Sequence, residues 1–220
     1  MAAAEPRVLE LFETPIIIDT VPNHADLNAS IAAAVAAKRL SDPGVVRSNR
    51  RGWQSGVDMM RWGGEAAQAV GRHFIGLCDR YTADIRQSAN MPPFLWMIDL
   101  WANFNPPGAS NNYHSHPGAV WSAVYYVDDG YADSSDASLG GELALQDPRM
   151  PMTQMLPLDL RYRSPDGKAY ISEHLLRPSS GMMVMFPPWL LHAVQPYAGG
   201  GERISLAMNA TAVRGPQSAG

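Results

Sequence analysis

Residues 101–127 read WANFNPPGASNNYHSHPGAVWSAVYYV. Two β-prone runs, rich in aromatic and branched residues, flank a Pro106-Pro107-Gly108 turn and a histidine pair. In an extended chain residues i and i+2 share a face, so His114 and His116 can turn both imidazoles toward one ion. The same pattern of short runs and turns continues toward the C-terminus. Extended runs fall at Leu95–Asn105, Val120–Val127, Glu142–Gln146, Ala169–His174, Met182–Phe186, Ala193–Pro196 and Arg203–Thr211. Asp128-Asp129-Gly130, Gly140-Gly141, Pro165-Asp166-Gly167 and Gly199-Gly200-Gly201 break them. Seven or eight short strands with regular turns predict a sandwich or barrel.

Upstream the period changes. Ala25–Leu40 carries Leu27, Ile31, Val35 and Leu40 near helical spacing and stops at Pro43-Gly44. Gly64–Ala89 repeats Ala67, Val70, Phe74, Leu77, Tyr81 and Ile85 every three or four residues, which predicts a second helix closed by Pro92-Pro93. Phe12–Val21 reads as a β-branched strand, and Arg47–Gln54 as a basic turn whose Arg47, Arg50 and Arg51 are read as solvated. No repeat or linker interrupts the chain. The expectation is one α+β, mainly β, domain over 1–220, with a helix-rich part (1–93) packed on one sheet, a β core (94–212) and a mobile tail (213–220). Ser134–Ser138 is polar enough to be mobile as well.

Composition narrows the function. The chain has 220 residues, 46% hydrophobic and 17% charged, with a net charge of -4, which supports a folded core and rules out wholesale disorder. A pI near 5.8 offers no basic field for nucleic acid. One cysteine, Cys78, excludes an internal disulfide or a cysteine-based zinc cage, and six histidines make His the candidate metal ligand. No run reaches the ~18 apolar residues of a membrane span, and Met1–Pro6 does not read as a secretory signal. The expected setting is cytoplasmic, without membrane or nucleic-acid partners, and a homodimer is left open.

A third histidine, His192, follows the apolar run and the rigid Pro187-Pro188 turn. A ligand reaching in from a distant strand is what a facial metal site with open positions requires. A lone strand histidine is ordinarily structural; His24, His73 and His174 lack such company and receive no role. Eleven residues after His192, Arg203 opens a strand whose polar residues (Arg203, Ser205, Asn209) alternate with Ile204, Leu206 and Met208. That polar face meets solvent or lines a cavity, and in a cavity Arg203 and Ser205 form a carboxylate clamp.

Together with residues 101–108, the His-X-His pair, Gly140–Pro148, Phe186–His192 and Glu202–Asn209 resemble the iron(II)- and 2-oxoglutarate-dependent oxygenases, specifically a bacterial and phage branch with His-X-His in place of His-X-Asp. The resemblance spans roughly residues 95–210. It implies a double-stranded β-helix (jelly roll), Fe(II) as cofactor, 2-oxoglutarate as cosubstrate, and hydroxylation of a small-molecule or peptide substrate with release of succinate. By analogy His114 and His192 are iron ligands, and Arg203 with Ser205 grips the far carboxylate of 2-oxoglutarate. Asn103 and Asn105 are candidate hydrogen-bonding contacts to it. Trp101, Trp121, Tyr125 and Trp189 are candidate walls of a substrate pocket, although any single one of them reads more readily as a core aromatic.

The wider family carries a carboxylate where His116 stands. Either His116 completes a three-histidine face, the favoured reading, or iron sits on His114 and His192 with His116 behind them. A cupin fits part of the same pattern, with Gly108 and His114-X-His116 as its first motif and Gly181, Pro187 and His192 as its second. Its expected glutamate is missing after His116, leaving only Glu142, and it does not call for Arg203 and Ser205.

Overall fold

The computed structural model describes residues 9–85, 93–152, 155–157 and 159–214. Two antiparallel sheets form the body. The larger has six strands in the order β1 (Ile17–Thr20), β9 (Met182–Phe186), β6 (Trp121–Asp128), β11 (Arg203–Arg214), β4 (Phe94–Asn105) and β3 (Trp53–Gln54). The smaller has five, ordered β2 (Asn49–Arg50), β5 (Ser110–His114), β10 (His192–Val194), β7 (Leu143–Gln146) and β8 (Glu173–Leu176). The chain passes from one sheet to the other, so strands distant in sequence become neighbours, as in a double-stranded β-helix. β11 lies between β4 and β6 and locks them in register, with Arg203 opposite Asn105 and Ser205 opposite both Asn103 and Tyr126.

The outer face of the larger sheet is covered by two helices, α1 (His24–Arg39) and α3 (Gly64–Tyr81), with a single turn, α2 (Met59–Trp62), before α3. In α3 the residues Ala67, Val70, Gly71, Phe74, Leu77 and Cys78 are buried, a stripe of helical period. They join Ile31 and Val35 of α1 and Leu100, Tyr125, Leu206 and Met208 of the sheet in one apolar cluster. A second cluster, including Leu143, Leu145, Leu176, Val184, Phe186 and Leu190, lies between the sheets. It fills only part of the sandwich. The rest is a cavity lined by both polar and apolar side chains.

Several boundaries differ from the sequence expectation. The second helix ends at Tyr81, not Ala89: Thr82 turns extended (φ −116°, ψ 125°) and its hydroxyl accepts a hydrogen bond from the Trp121 indole at 2.8 Å. Ile85 is exposed, and residues 86–89, like Pro92, lie outside the described residues. The strand expected over Phe12–Val21 shortens to Ile17–Thr20, because Phe12 has φ 62° and Pro15 lacks a ladder N–H. The strand placed at Ala169–His174 forms at Glu173–Leu176, since Ala169 makes only a local bridge with Arg163 across the Pro165–Gly167 turn. β5 and the short strands of the 47–54 stretch were not foreseen as strands. Ser134–Ser138, expected to be mobile, is tied down by Arg177, which donates to the carbonyls of Ser134 and Asp136. β11 runs on through Arg214, and residues 215–220 lie outside the described residues.

Candidate metal centre and cavity

His114 and His192 face each other across the β5–β10 ladder, directly paired in register. His116 lies just beyond β5, and its amide donates to the Pro188 carbonyl at 2.8 Å, which ties it to the double-proline turn that leads into His192. The candidate ligand atoms of the three imidazoles all lie within 4.8 Å of one another. The Nε2 atoms of His116 and His192 are 3.2 Å apart. Two nitrogens bound at ~2.1 Å to one ion, 90–109° apart, stand ~3.0–3.4 Å from each other, so the spacing already suits a shared ion.

Tautomers agree with that reading. His114 Nδ1 is 2.8 Å from the Asn112 carbonyl and His192 Nδ1 is 2.8 Å from the Leu190 carbonyl. A carbonyl only accepts, so both Nδ1 atoms carry the proton and both Nε2 atoms turn a lone pair inward. At His116 the Nδ1 atom lies 3.5 Å from the Asn209 amide, whose other end accepts from the Ser122 hydroxyl at 2.8 Å. Turning the amide over would offer Oδ1 to His116 Nδ1–H, and Ser122 can reverse its own role from donor to acceptor. Burial and mutual repulsion keep the cluster neutral: burial, then the His114 charge, lowers His192 to about 3 and His116 to about 4, and burial lowers His114. Neutral imidazoles are the metal-binding form.

The same cavity, about 380 Å³, continues along the polar face of β11 and is lined by Asn103, Asn105, Ser205 and Arg203 as well as the histidines. Arg203 is only 5% exposed, yet its Nε and Nη1 atoms have no hydrogen-bond partner among the described residues. The hydroxyl of buried Tyr126, a residue that also lines the cavity, has no partner among the described residues either, and burial raises its pKa. Gly130 and Gly141, both with positive φ, cradle the arginine: an added Cβ would lie 2.4 Å from its Cγ at Gly130 and 2.0 Å from its Nη1 at Gly141. A guanidinium held this tightly with open donors costs several kcal/mol unless an anion completes it.

A family model described as "Putative 2OG-Fe(II) oxygenase" matches residues 99–209, half of the chain. This protein belongs to the 2OG-Fe(II) oxygenase family. Solved structures of similar fold include a prolyl hydroxylase from Trichoplax adhaerens in complex with a hypoxia inducible factor peptide fragment, 13% identical with a TM-score of 0.60, covering 89% of this chain and 83% of that one. A Pseudomonas putida prolyl-4-hydroxylase is 19% identical with a TM-score of 0.54, covering 90% and 92%. HygX from Streptomyces hygroscopicus, with nickel, 2-oxoglutarate and hygromycin B bound, is 13% identical with a TM-score of 0.54, covering 90% and 83%. At such identities the likeness establishes the jelly-roll fold. No curated protein matches.

The oxygenase's donor set fits a metal and a dianionic keto acid on this chain's own observations: three converging neutral imidazoles, and an unpaired buried cation in a cradle that a Cβ would fill. The cupin alternative loses its fourth ligand, because Glu142 is turned to Arg177 at 3.9 Å and is not part of the histidine cluster. Among the described residues no helix is long and apolar enough to cross a membrane.

Three of the four aromatics expected around the pocket are elsewhere. Strand alternation sends Trp121 and Tyr125 to the helix-covered face, where Trp121 bonds Thr82 and Tyr125 bonds Asn28. Trp189, on the double-proline turn, is 54% exposed and does not line the cavity; Trp101 alone does, with its ring 5.7 Å from His116. Conversely, the sequence reading gave no role to Tyr126 or to Asn209, although it placed Asn209 on the polar face of its strand. Both occupy alternate positions on strands already recognised, so the same parity that exposed Ser205 could have found them.

Proposed function

We propose that this oxygenase holds Fe(II) on His114, His116 and His192 and 2-oxoglutarate between that ion and Arg203, and that it hydroxylates a C–H bond of a small-molecule or peptide substrate. The observation that carries the proposal is the buried, unpaired guanidinium of Arg203 in the cavity of the histidine cluster. Arg203 offers the planar two-donor fork that a carboxylate matches, while Ser205 and Tyr126 add hydroxyl donors from β11 and β6. Asn103 and Asn105, both largely buried on the adjoining strand, present amides to the same cavity. Bound iron and 2-oxoglutarate would supply the oxygen chemistry, with loss of carbon dioxide, formation of succinate and transfer of one oxygen atom to the substrate.

The protein contributes position and dryness. The carbonyls of Asn112 and Leu190 fix which nitrogen each strand histidine presents, and Phe186, 4.7 Å from the His192 ring, seals the cluster from the apolar core. All three proposed ligands are neutral, so the ion keeps its full charge toward anionic partners, unlike a site with a protein carboxylate.

Calorimetric titration of the Ni(II)-loaded protein with 2-oxoglutarate tests the assignment. Arg203→Ala should weaken binding by ~30- to 4,000-fold, the equivalent of the ~2–5 kcal/mol lost when one partner of a buried charge pair is removed. Metal stoichiometry should be unchanged. Equal affinity in the two proteins would remove Arg203 from the site.

A further inference from the structure

The oxygenase reading assigns a partner to one of the two cations in the cavity and leaves the other without one. Three charged side chains besides the histidines line it: Arg203, Asp128 and Arg47. Asp128 stands at the Arg203 end, opposite Ile204 in the ladder, and its carboxylate accepts from the Gly130 amide at 2.9 Å. Arg47 belongs to the other end. Its neighbour Ser48 places Oγ 3.5 Å from His114 Nε2 and accepts from the Asn111 amide at 3.1 Å.

The segment bearing Arg47 is fixed. Asn49, 5% exposed, accepts from the Arg47 amide at 2.8 Å and donates to the carbonyls of Val45 and Gly52. The Ser48 carbonyl accepts from the Asn112 amide at 3.0 Å, and β2 pairs with β5. A β-bulge in β5 brings Asn111 to the cavity wall although it is three residues from His114. Gln54 lines the cavity as well.

Of the three arginines in this basic stretch, only Arg47 lines the cavity. Arg50 donates to its neighbour's carbonyl at 3.3 Å, and the Arg51 guanidinium lies over Gly108. No carboxylate among the described residues pairs with the Arg47 side chain, which is exposed at the cavity's mouth. One fork-shaped cation amid neutral hydrogen-bonding groups matches a carboxylate, whereas a phosphate is ordinarily met by more positive charge.

We infer that Arg47 is a specificity residue and that the substrate of this enzyme carries a carboxylate, which Arg47 holds beside the histidine cluster at the end opposite Arg203. The inference rests on the oxygenase reading, because it takes Arg203 to be engaged by 2-oxoglutarate.

The test uses the full chain loaded with Ni(II) and saturated with 2-oxoglutarate, so that no turnover occurs. The probes are the N-acetyl amino acids as free acids, the same compounds as primary amides, and N-acetyl-O-phosphoserine amide. Binding is read by calorimetry and thermal shift. At least one free acid should bind at least tenfold more tightly than its amide, and Arg47→Ala should weaken that acid by ~10- to 100-fold, the span of a charge-assisted hydrogen bond. Arg47→Lys should restore part of the loss, and Arg47→Glu should abolish the preference for acids. The inference is overturned if no acid outbinds its amide, if the phosphorylated amide binds best, or if acid binding is indifferent to Arg47. Failure of the wild type to bind 2-oxoglutarate at all, measured before any probe is added, would bring down the oxygenase reading and this inference with it.

Discussion

Gly141→Ala is a change of one methyl group that should damage 2-oxoglutarate binding while leaving the metal in place. The added Cβ would stand 2.0 Å from Arg203 Nη1, 2.9 Å from its Cζ and 3.3 Å from the Tyr131 hydroxyl. Reaching an ordinary contact of ~3.5 Å requires the guanidinium to retreat by ~1.5 Å, more than a two-donor carboxylate fork tolerates. The loss of one charge-assisted hydrogen bond, ~1.5–3 kcal/mol, corresponds to ~10- to 100-fold weaker binding. Gly141 also has φ +81°, so alanine there should cost ~1–2 kcal/mol of stability. Gly140→Ala is the control: its Cβ would meet the Pro196 carbonyl at 2.2 Å and does not contact Arg203, so it strains the fold without touching the clamp directly. Calorimetric titration of both Ni(II)-loaded variants with 2-oxoglutarate, beside their thermal melts, separates the two effects. A folded Gly141→Ala protein with wild-type affinity would refute the placement of the cosubstrate on Arg203.

His116→Ala should lower metal affinity by well over the ~10–100-fold typical of a residue that only supports a ligand, whereas His116→Asp should keep the ion; equilibrium dialysis against Co(II) distinguishes a ligand from a bystander. Asn209→Ala, which removes the group facing His116 Nδ1, should fall within that ~10–100-fold range, and an unchanged affinity would deny it any orienting role. In the metal-free protein the three histidines have lowered pKa values, His192 to about 3 and His116 to about 4. The unfolded chain therefore takes up protons from about pH 6.5 downward while the folded chain resists. Their contribution to stability is full above pH 6.5 and is lost as pH falls toward 4 and 3, so the melting temperature should drop across that window, and less steeply in His192→Ala. Equal slopes would assign the acid sensitivity elsewhere.

Much of this architecture is legible from residue order. Strict alternation in β11 announced a polar face, and the structure turns Arg203, Ser205 and Asn209 toward one cavity while Leu206 and Met208 enter the helix-covered core. The His-X-His spacing predicts a common side for two imidazoles from the period of an extended chain, and although His116 lies just beyond β5, its amide hydrogen bond to the Pro188 carbonyl keeps its ring with the other two. What stayed hidden depends on long-range pairing. Trp121 and Tyr125 were close to the histidines in sequence but lie on the opposite parity of β6, and only the ladder with β11 reveals which parity faces the cavity. Arg47 and Ser48, more than sixty residues before His114, reach it through the β2–β5 pairing, which has just two residue pairs and no periodic signal. The bulge in β5 likewise depends on its partner strand. The end of α3 at Tyr81 reflects a hydrogen bond from Trp121, a contact across 39 positions.

In the proposed site, one chain assembles a three-histidine iron centre that 2-oxoglutarate completes. Anaerobic titration of the metal-free protein with Fe(II), then with 2-oxoglutarate, observes this directly through the weak visible charge-transfer absorption of a keto acid chelated to iron. Binding should saturate at one Fe(II) per chain, the band should appear only after 2-oxoglutarate is added, and stoichiometric iron binding should be lost in His114→Ala and His192→Ala. Retention of one iron by both variants would remove the histidines as ligands, and wild-type protein that binds iron yet shows no band and no heat with 2-oxoglutarate would rule out the cosubstrate.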